Sequence, residues 1–132
     1  MKNRKKLAVA IVGATALAIG TFVWKSNAAE AKEDSPIQKV MKTYHKAPKG
    51  TDPTCKRASD GKATPEELKK LVAAYKTLTT AKPPKGDDAS WKEKTAKLLA
   101  ASESLQKGDA GGIAKYKEAV KCKACHSVHK PD

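Results

Sequence analysis

The chain contains few of the residues that usually build a large core or a metal site made of protein ligands alone. Aromatic residues make up only 5% of its 132 positions, and it has only 3 cysteines. A domain of this size with so few aromatic side chains can bury only a small core of its own. There is no second C-x-x-C pair and no H-x3-H pair, so the usual motifs cannot complete a four-ligand zinc site.

Two further absences narrow the fold and the function. No convincing stretch alternates apolar and polar residues with a period of two, so we expect no β-strands and an all-α fold. No pattern in the chain indicates a general base, a nucleophile or a substrate cleft. We therefore do not expect an enzyme.

The first 28 residues have the pattern of a bacterial export signal. Four basic residues at positions 2–6 precede an uncharged run over positions 7–24, and small residues follow it. The run covers 18 positions, which is also just enough to span a bilayer, so an uncleaved membrane anchor is the alternative. Both interpretations place the remaining domain, residues 29–132, outside the cytoplasm, in the periplasm.

Basic residues outnumber acidic residues by 27 to 14, and the formal net charge is +13. The first 28 residues hold five of the basic residues and no acidic one, so the domain that follows carries a net charge of +8. Such a charge favours redox partner proteins with acidic docking surfaces, or an anionic membrane surface. A solvated lysine-rich surface without a specific partner is the alternative, and export argues against nucleic acid as a partner.

Capping residues and apolar periodicity predict four helices in the domain. Ser35, Thr64 and Ser90 are the expected N-caps of the first three. Short connections between the last three helices predict an antiparallel four-helix bundle. The predicted helices cover residues 35–47, 64–82, 90–107 and about 113–129, with a single helical turn at 54–59.

The most informative motif is Cys122-Lys123-Ala124-Cys125-His126, close to the carboxyl end. C-x-x-C-H is the attachment signature of a c-type haem, in which two thiols bond to the porphyrin and the histidine ligates the iron. The spacings i,i+3 and i,i+4 place these three side chains on one face of a helix. A chance histidine beside a disulfide or a zinc half-site is the alternative. A bound haem would also supply the apolar volume that the small core lacks.

With this motif on its last helix, the chain resembles the class II c-type cytochromes, the cytochrome c-prime family, over residues 35–132. The resemblance implies one haem c held covalently by Cys122 and Cys125, with His126 as the proximal ligand of the iron. It also implies that Lys130 is the basic residue beside the haem. The chain departs from the family pattern at His129, where an aromatic residue is usual, and we expect this histidine at the surface or near a haem propionate.

The resemblance also indicates where the distal ligand of the iron comes from, because in this family the first helix covers the distal face of the haem. Low-spin members bind the iron through a methionine sulfur, and Met41 lies on the apolar stripe of the predicted helix. His45, one turn later, is the rival ligand, although an exposed histidine at the helix end is the commoner explanation. High-spin members leave the sixth position open, in which case Met41 is a core side chain.

Two functions follow from these alternatives. The leading hypothesis is a periplasmic electron carrier whose iron cycles between Fe(III) and Fe(II), and the alternative is a five-coordinate haem protein that binds small gases such as NO or CO.

Membrane association is expected only if the N-terminal segment stays uncleaved, and the resemblance implies a homodimer as one oligomeric state. Aromatic residues are expected near the haem or in plain core packing (Tyr44, Tyr75, Trp91 and Tyr116), and Cys55 has no assigned role.

Overall fold

The computed structural model describes residues 33–132, which form an all-helical unit. The expected export signal or anchor, residues 1–28, lies outside the described residues. Within residues 33–132 there is no β-strand, as the sequence predicts, and no helix is both long and apolar enough to cross a membrane. The helices are α1 (Pro36–Tyr44), α2 (Thr54–Ser59), α3 (Pro65–Thr80), α4 (Asp88–Lys107), α5 (Gly112–Ala119) and α6 (Cys122–His129).

The predicted starts of α1 and α3 are confirmed, and both are capping boxes. The Ser35 hydroxyl accepts the backbone N–H of Gln38 (3.2 Å), and the Gln38 side chain accepts the Ser35 N–H (2.8 Å). Thr64 and Glu67 make the same reciprocal pair, at 3.2 and 2.8 Å. A proline at the first helical position of each helix has no N–H to leave unpaired. The single turn predicted at 54–59 is α2.

The predicted N-cap of α4 is wrong, whereas its predicted end is confirmed. Asp87, not Ser90, caps the helix, because its carboxylate accepts the Ser90 backbone N–H at 2.8 Å. A carboxylate satisfies the free N–H groups of the first turn and also interacts favourably with the positive end of the helix dipole. The helix ends at Gly108, whose φ of 74° is the left-handed conformation typical of a C-terminal glycine.

The single last helix that the sequence predicts is wrong, because the structure has two helices there, α5 and α6. Val120 still donates its N–H to the Tyr116 carbonyl (2.9 Å), but Lys121 has a non-helical ψ of 99°. A new helical turn then begins, in which the Ala124 N–H donates to the Lys121 carbonyl (3.1 Å). The haem-type motif therefore starts its own helix, with Cys122 as the first residue.

The helices pack around one small core. Helix α3 packs against α1 and α4, α4 packs against α5 and α6, and α2 contacts both α3 and α5. This packing is that of a helical bundle. The buried core consists mainly of small and aliphatic side chains with three aromatic rings among them: Val40, Ala58, Leu71, Ala74, Tyr75, Leu78, Trp91, Ala101 and Tyr116.

The expectation that His129 lies at the surface is wrong, because only 2% of this residue is exposed. Its Nδ1–H donates to the Lys85 carbonyl (2.9 Å), and its Nε2 accepts the Ser90 hydroxyl (3.2 Å). The edge of the ring packs on Trp91, with ring centroids 5.3 Å apart. The connection between α3 and α4 thus covers the end of α6 and fixes it through this histidine.

Candidate functional site

A cavity of about 710 Å³ opens beside the core, with side chains of α1, α3, α4, α5 and α6 around it. This volume lies within the range of pockets that hold organic ligands and cofactors. Much of its wall is apolar, as a buried ring system requires. The apolar wall residues include Met41, Leu78, Trp91, Leu98, Ala101 and Val120.

The two cysteines and the histidine of the motif on α6 border this cavity. Cys122, Cys125 and His126 lie among its lining residues, as the helical spacing of the motif predicts. No disulfide joins the cysteines of residues 33–132, so both motif thiols are free. Burial raises the pKa of the Cys125 thiol, while the nearby Lys94 ammonium opposes that rise. The cavity thus presents two thiols and an imidazole from one short helix.

Helix α1 contributes the two residues that the sequence singles out as rival iron ligands. Met41 and His45 both line the cavity, one helical turn apart. The expectation of an exposed histidine is wrong, because His45 is half-buried. Burial, together with the nearby charge of His126, lowers the pKa of His45 to about 4. The fold therefore brings the α1 pair and the α6 motif to one cavity.

A buried chain of hydrogen bonds leads from His45 into the core. The His45 Nε2 lies 3.2 Å from the Tyr75 hydroxyl, which lies 2.7 Å from the Tyr116 hydroxyl. Both tyrosines have no exposed surface, and neither lines the cavity. Burial raises the pKa of both phenols, so both hydroxyls keep their protons at neutral pH. The two tyrosines therefore belong to the core rather than to the cavity wall.

Charged side chains also border the cavity, and the basic ones are in excess. Lys97 pairs with Glu93 and Lys121 pairs with Glu118, each at 2.6 Å. Two further lysines of the lining, Lys94 and Lys115, make no ion pair within residues 33–132. An acidic group bound in the cavity would find these two cations nearby.

Of the other residues that the sequence predicts near the haem, only some line the cavity. Trp91 lines the cavity, and its Nε1–H donates to the Leu78 carbonyl (2.9 Å), which fixes the ring. Tyr44 and Lys130 are not among the residues that line the cavity. Cys55 is buried in α2, away from the lining, and burial raises the pKa of its thiol, helped by the nearby Cys122. It therefore does not join the motif thiols at the cavity.

Sequence reasoning missed the part of the cavity that α5 supplies. Lys115, Glu118 and Ala119 line it together with the break after α5. The only signal for them was their position shortly before the motif, and no spacing rule separates lining residues from solvated ones on a charged helix. The bonds from Tyr75 to His45 and to Tyr116 were also missed, because they join positions 30 and 41 residues apart.

The residues around the cavity fit a covalently held haem. Two free thiols three residues apart and an adjacent imidazole are the groups that such a haem requires from the protein, and the Met41 thioether on α1 is a further possible ligand. The apolar wall suits the porphyrin, and Lys94 and Lys115 suit its acidic side chains. Among residues 33–132, no three histidine, cysteine or acidic side chains converge to hold a metal ion by themselves.

Comparison of the chain with protein-family models, with curated proteins and with solved structures finds no match to any of them. The assignment of the site therefore rests on the C-x-x-C-H motif and on the residues that share its cavity.

Proposed function

We propose that the protein is a periplasmic mono-haem c-type cytochrome that transfers electrons. In this proposal the described bundle is the class II, four-helix type with one haem c, and residues 1–28 are the export signal or a membrane anchor. The observation that carries the proposal is the shared cavity, which has the C-x-x-C-H motif on α6 and Met41 on α1 among its lining residues.

Four residues of the cavity have a specific part in this proposal. Cys122 and Cys125 would hold the haem through thioether bonds, and His126 would be the proximal ligand of the iron. Met41 would be the distal ligand. When bound, the haem supplies a single iron that exchanges one electron between Fe(III) and Fe(II).

The other side chains around the cavity would influence this electron exchange without taking part in a reaction. Trp91 and Leu98 are apolar parts of the cavity wall, and such a wall would favour an iron that exchanges electrons without forming new bonds. Lys94 and Lys115 would offset the negative charge of the haem propionates. The same excess of positive charge favours redox partners with acidic docking surfaces. Because sulfur from Met41 fills the sixth position, small gases do not bind readily.

The optical spectrum of the purified protein tests this function. We expect a low-spin ferric spectrum with the far-red band of sulfur-to-iron ligation, and a ferrous spectrum that carbon monoxide leaves unchanged. A high-spin spectrum that shifts readily with carbon monoxide would instead support the alternative function, a five-coordinate haem that binds NO or CO. A protein without any haem would contradict both functions.

A further inference from the structure

The cavity presents two side chains that could bind the distal side of the iron, Met41 and His45. Imidazole is a common haem ligand, so the presence of His45 needs an explanation if sulfur is the ligand. The hydrogen bonds of His45 supply one. The following inference rests on the proposed function, since it concerns the choice between these two ligands.

The tyrosine chain constrains where each of its protons lies. Among residues 33–132, Tyr116 has a single side-chain partner, the Tyr75 hydroxyl at 2.7 Å, and is fully buried. If the proton of Tyr75 pointed at Tyr116, the proton of Tyr116 would have no acceptor among these residues. A buried donor without an acceptor is destabilising. The favoured arrangement therefore has Tyr116 donating to Tyr75.

This direction fixes the tautomer of His45. Since Tyr75 accepts from Tyr116, its own proton donates to the other neighbour, the Nε2 of His45 at 3.2 Å. Nε2 must then be the unprotonated nitrogen, and the single proton of the neutral imidazole lies on Nδ1.

We propose that Tyr75, oriented by Tyr116, occupies the only free lone pair of the His45 ring and so reserves the sixth position of the iron for Met41. A metal-binding nitrogen must offer a lone pair, and in this tautomer Nε2 gives its lone pair to a phenol while Nδ1 carries a proton. The Met41 sulfur has no such competitor. Tyr75 is thus a positioning residue that sets ligand choice from the core, and the bond from Tyr116 indicates the direction in which Tyr75 donates.

The Tyr75→Phe variant tests this assignment, because it removes the donor and leaves the ring in place. We expect the far-red sulfur band to be lost or greatly reduced, with a low-spin spectrum retained and a lower reduction potential, as His45 replaces Met41. In a second variant that also carries His45→Ala, the sulfur band should return. The assignment is wrong if Tyr75→Phe alone keeps the wild-type band and potential.

Two further measurements distinguish the role of Tyr75 from a loss of folding and from a failure of the proposed function. Tyr116→Phe leaves the Tyr75 donor free to reach His45, so the sulfur band should persist. In the wild-type ferrous protein, ¹⁵N NMR should show His45 protonated on Nδ1, and protonation on Nε2 would overturn the assignment. A wild-type protein without the sulfur band would refute ligation by Met41 itself. A normal wild-type band with an unchanged Tyr75→Phe spectrum would refute only the role of Tyr75.

Discussion

At the scale of single residues, two side chains one turn apart on α1 face very different surroundings. Both border the cavity, but Met41 packs against the core, whereas His45 caps the helix and is hydrogen-bonded to Tyr75. Thioether and imidazole would give an iron different reduction potentials, so in the proposed function this local difference would set the potential. Substitutions at these two positions therefore have separable effects.

Replacing Met41 by alanine should convert the protein from a carrier into a gas-binding form. Without the sulfur, and with the His45 lone pair occupied, the sixth position of the iron is open. We expect loss of the far-red ferric band and a new ferrous spectrum on addition of carbon monoxide. Ile37→Ala is the matched control, since Ile37 packs on the core from the same helix but does not line the cavity. A low-spin spectrum in Met41→Ala would instead identify His45 as the ligand.

The free energy of unfolding should depend on pH through His45. Its pKa is lowered to about 4 in the folded protein, against 6.5 ordinarily, so the unfolded chain binds the proton more tightly. Stability is therefore fully present above about pH 6.5 and falls as the pH drops towards 4. The loss is about 3 kcal/mol, at roughly 1.4 kcal/mol per pKa unit. Urea unfolding at pH 7 and pH 4 measures it, and His45→Gln should remove this part of the pH dependence.

At the scale of helices, local sequence signals explain where α1 and α3 begin and where α4 ends, but they do not explain the break between α5 and α6. The starts of α1 and α3 follow from N-cap residues, and the end of α4 follows from Gly108, because these signals act within one turn. The start of α4 was misplaced because Asp87 and Ser90 are both good caps. No proline or glycine marks the break at Val120 and Lys121. Both residues line the cavity, so the break lies at the candidate site.

The contact between α6 and the connection before α4 depends on a glycine. Gly86 has a φ of +84°, and an added Cβ would lie 2.8 Å from the His129 Nδ1 and 2.9 Å from the Val128 carbonyl oxygen. Gly50 has a similar φ of +88° but open space around it. A substitution at Gly50 therefore tests backbone strain alone, whereas a substitution at Gly86 tests strain together with a steric clash.

Alanine at these two glycines should have different costs. Gly50→Ala should lower the free energy of unfolding by about 1 kcal/mol, from backbone strain alone, and Gly86→Ala by roughly 2–4 kcal/mol. Chemical denaturation of both variants measures the difference. Equal losses would mean that the connection moves aside and that His129 does not hold α6 through this contact.

At the scale of the whole molecule, the sequence alone identifies the C-x-x-C-H motif but not all the residues that share its cavity. The all-α fold and the α6 motif follow from short-range patterns. That Met41 and the motif share a cavity was expected only through a family resemblance. The long-range bonds of Tyr75 and the burial of His129 depend on how helices distant in sequence pack, which a single sequence does not encode as a pattern.

The excess of positive charge around the cavity should speed electron exchange with anions. The oxidation of the ferrous protein by ferricyanide should slow several-fold as ionic strength rises, because salt screens the attraction. Lys94→Glu and Lys115→Glu should slow it at low salt and weaken the salt dependence. Lys69→Glu changes the net charge equally but lies outside the cavity lining, so it is the control. Equal effects of all three variants would mean that only net charge matters.

The intact mass of the purified, denatured protein is the measurement that tests the haem assignment most directly. Expressed in a bacterium that attaches haem to exported C-x-x-C-H proteins, the mature chain should be heavier than its polypeptide by one haem. The haem should be lost when Cys122 and Cys125 are both replaced by serine, and kept in Cys55→Ser. A wild-type mass equal to the polypeptide alone would contradict the haem assignment and, with it, the proposed electron transfer.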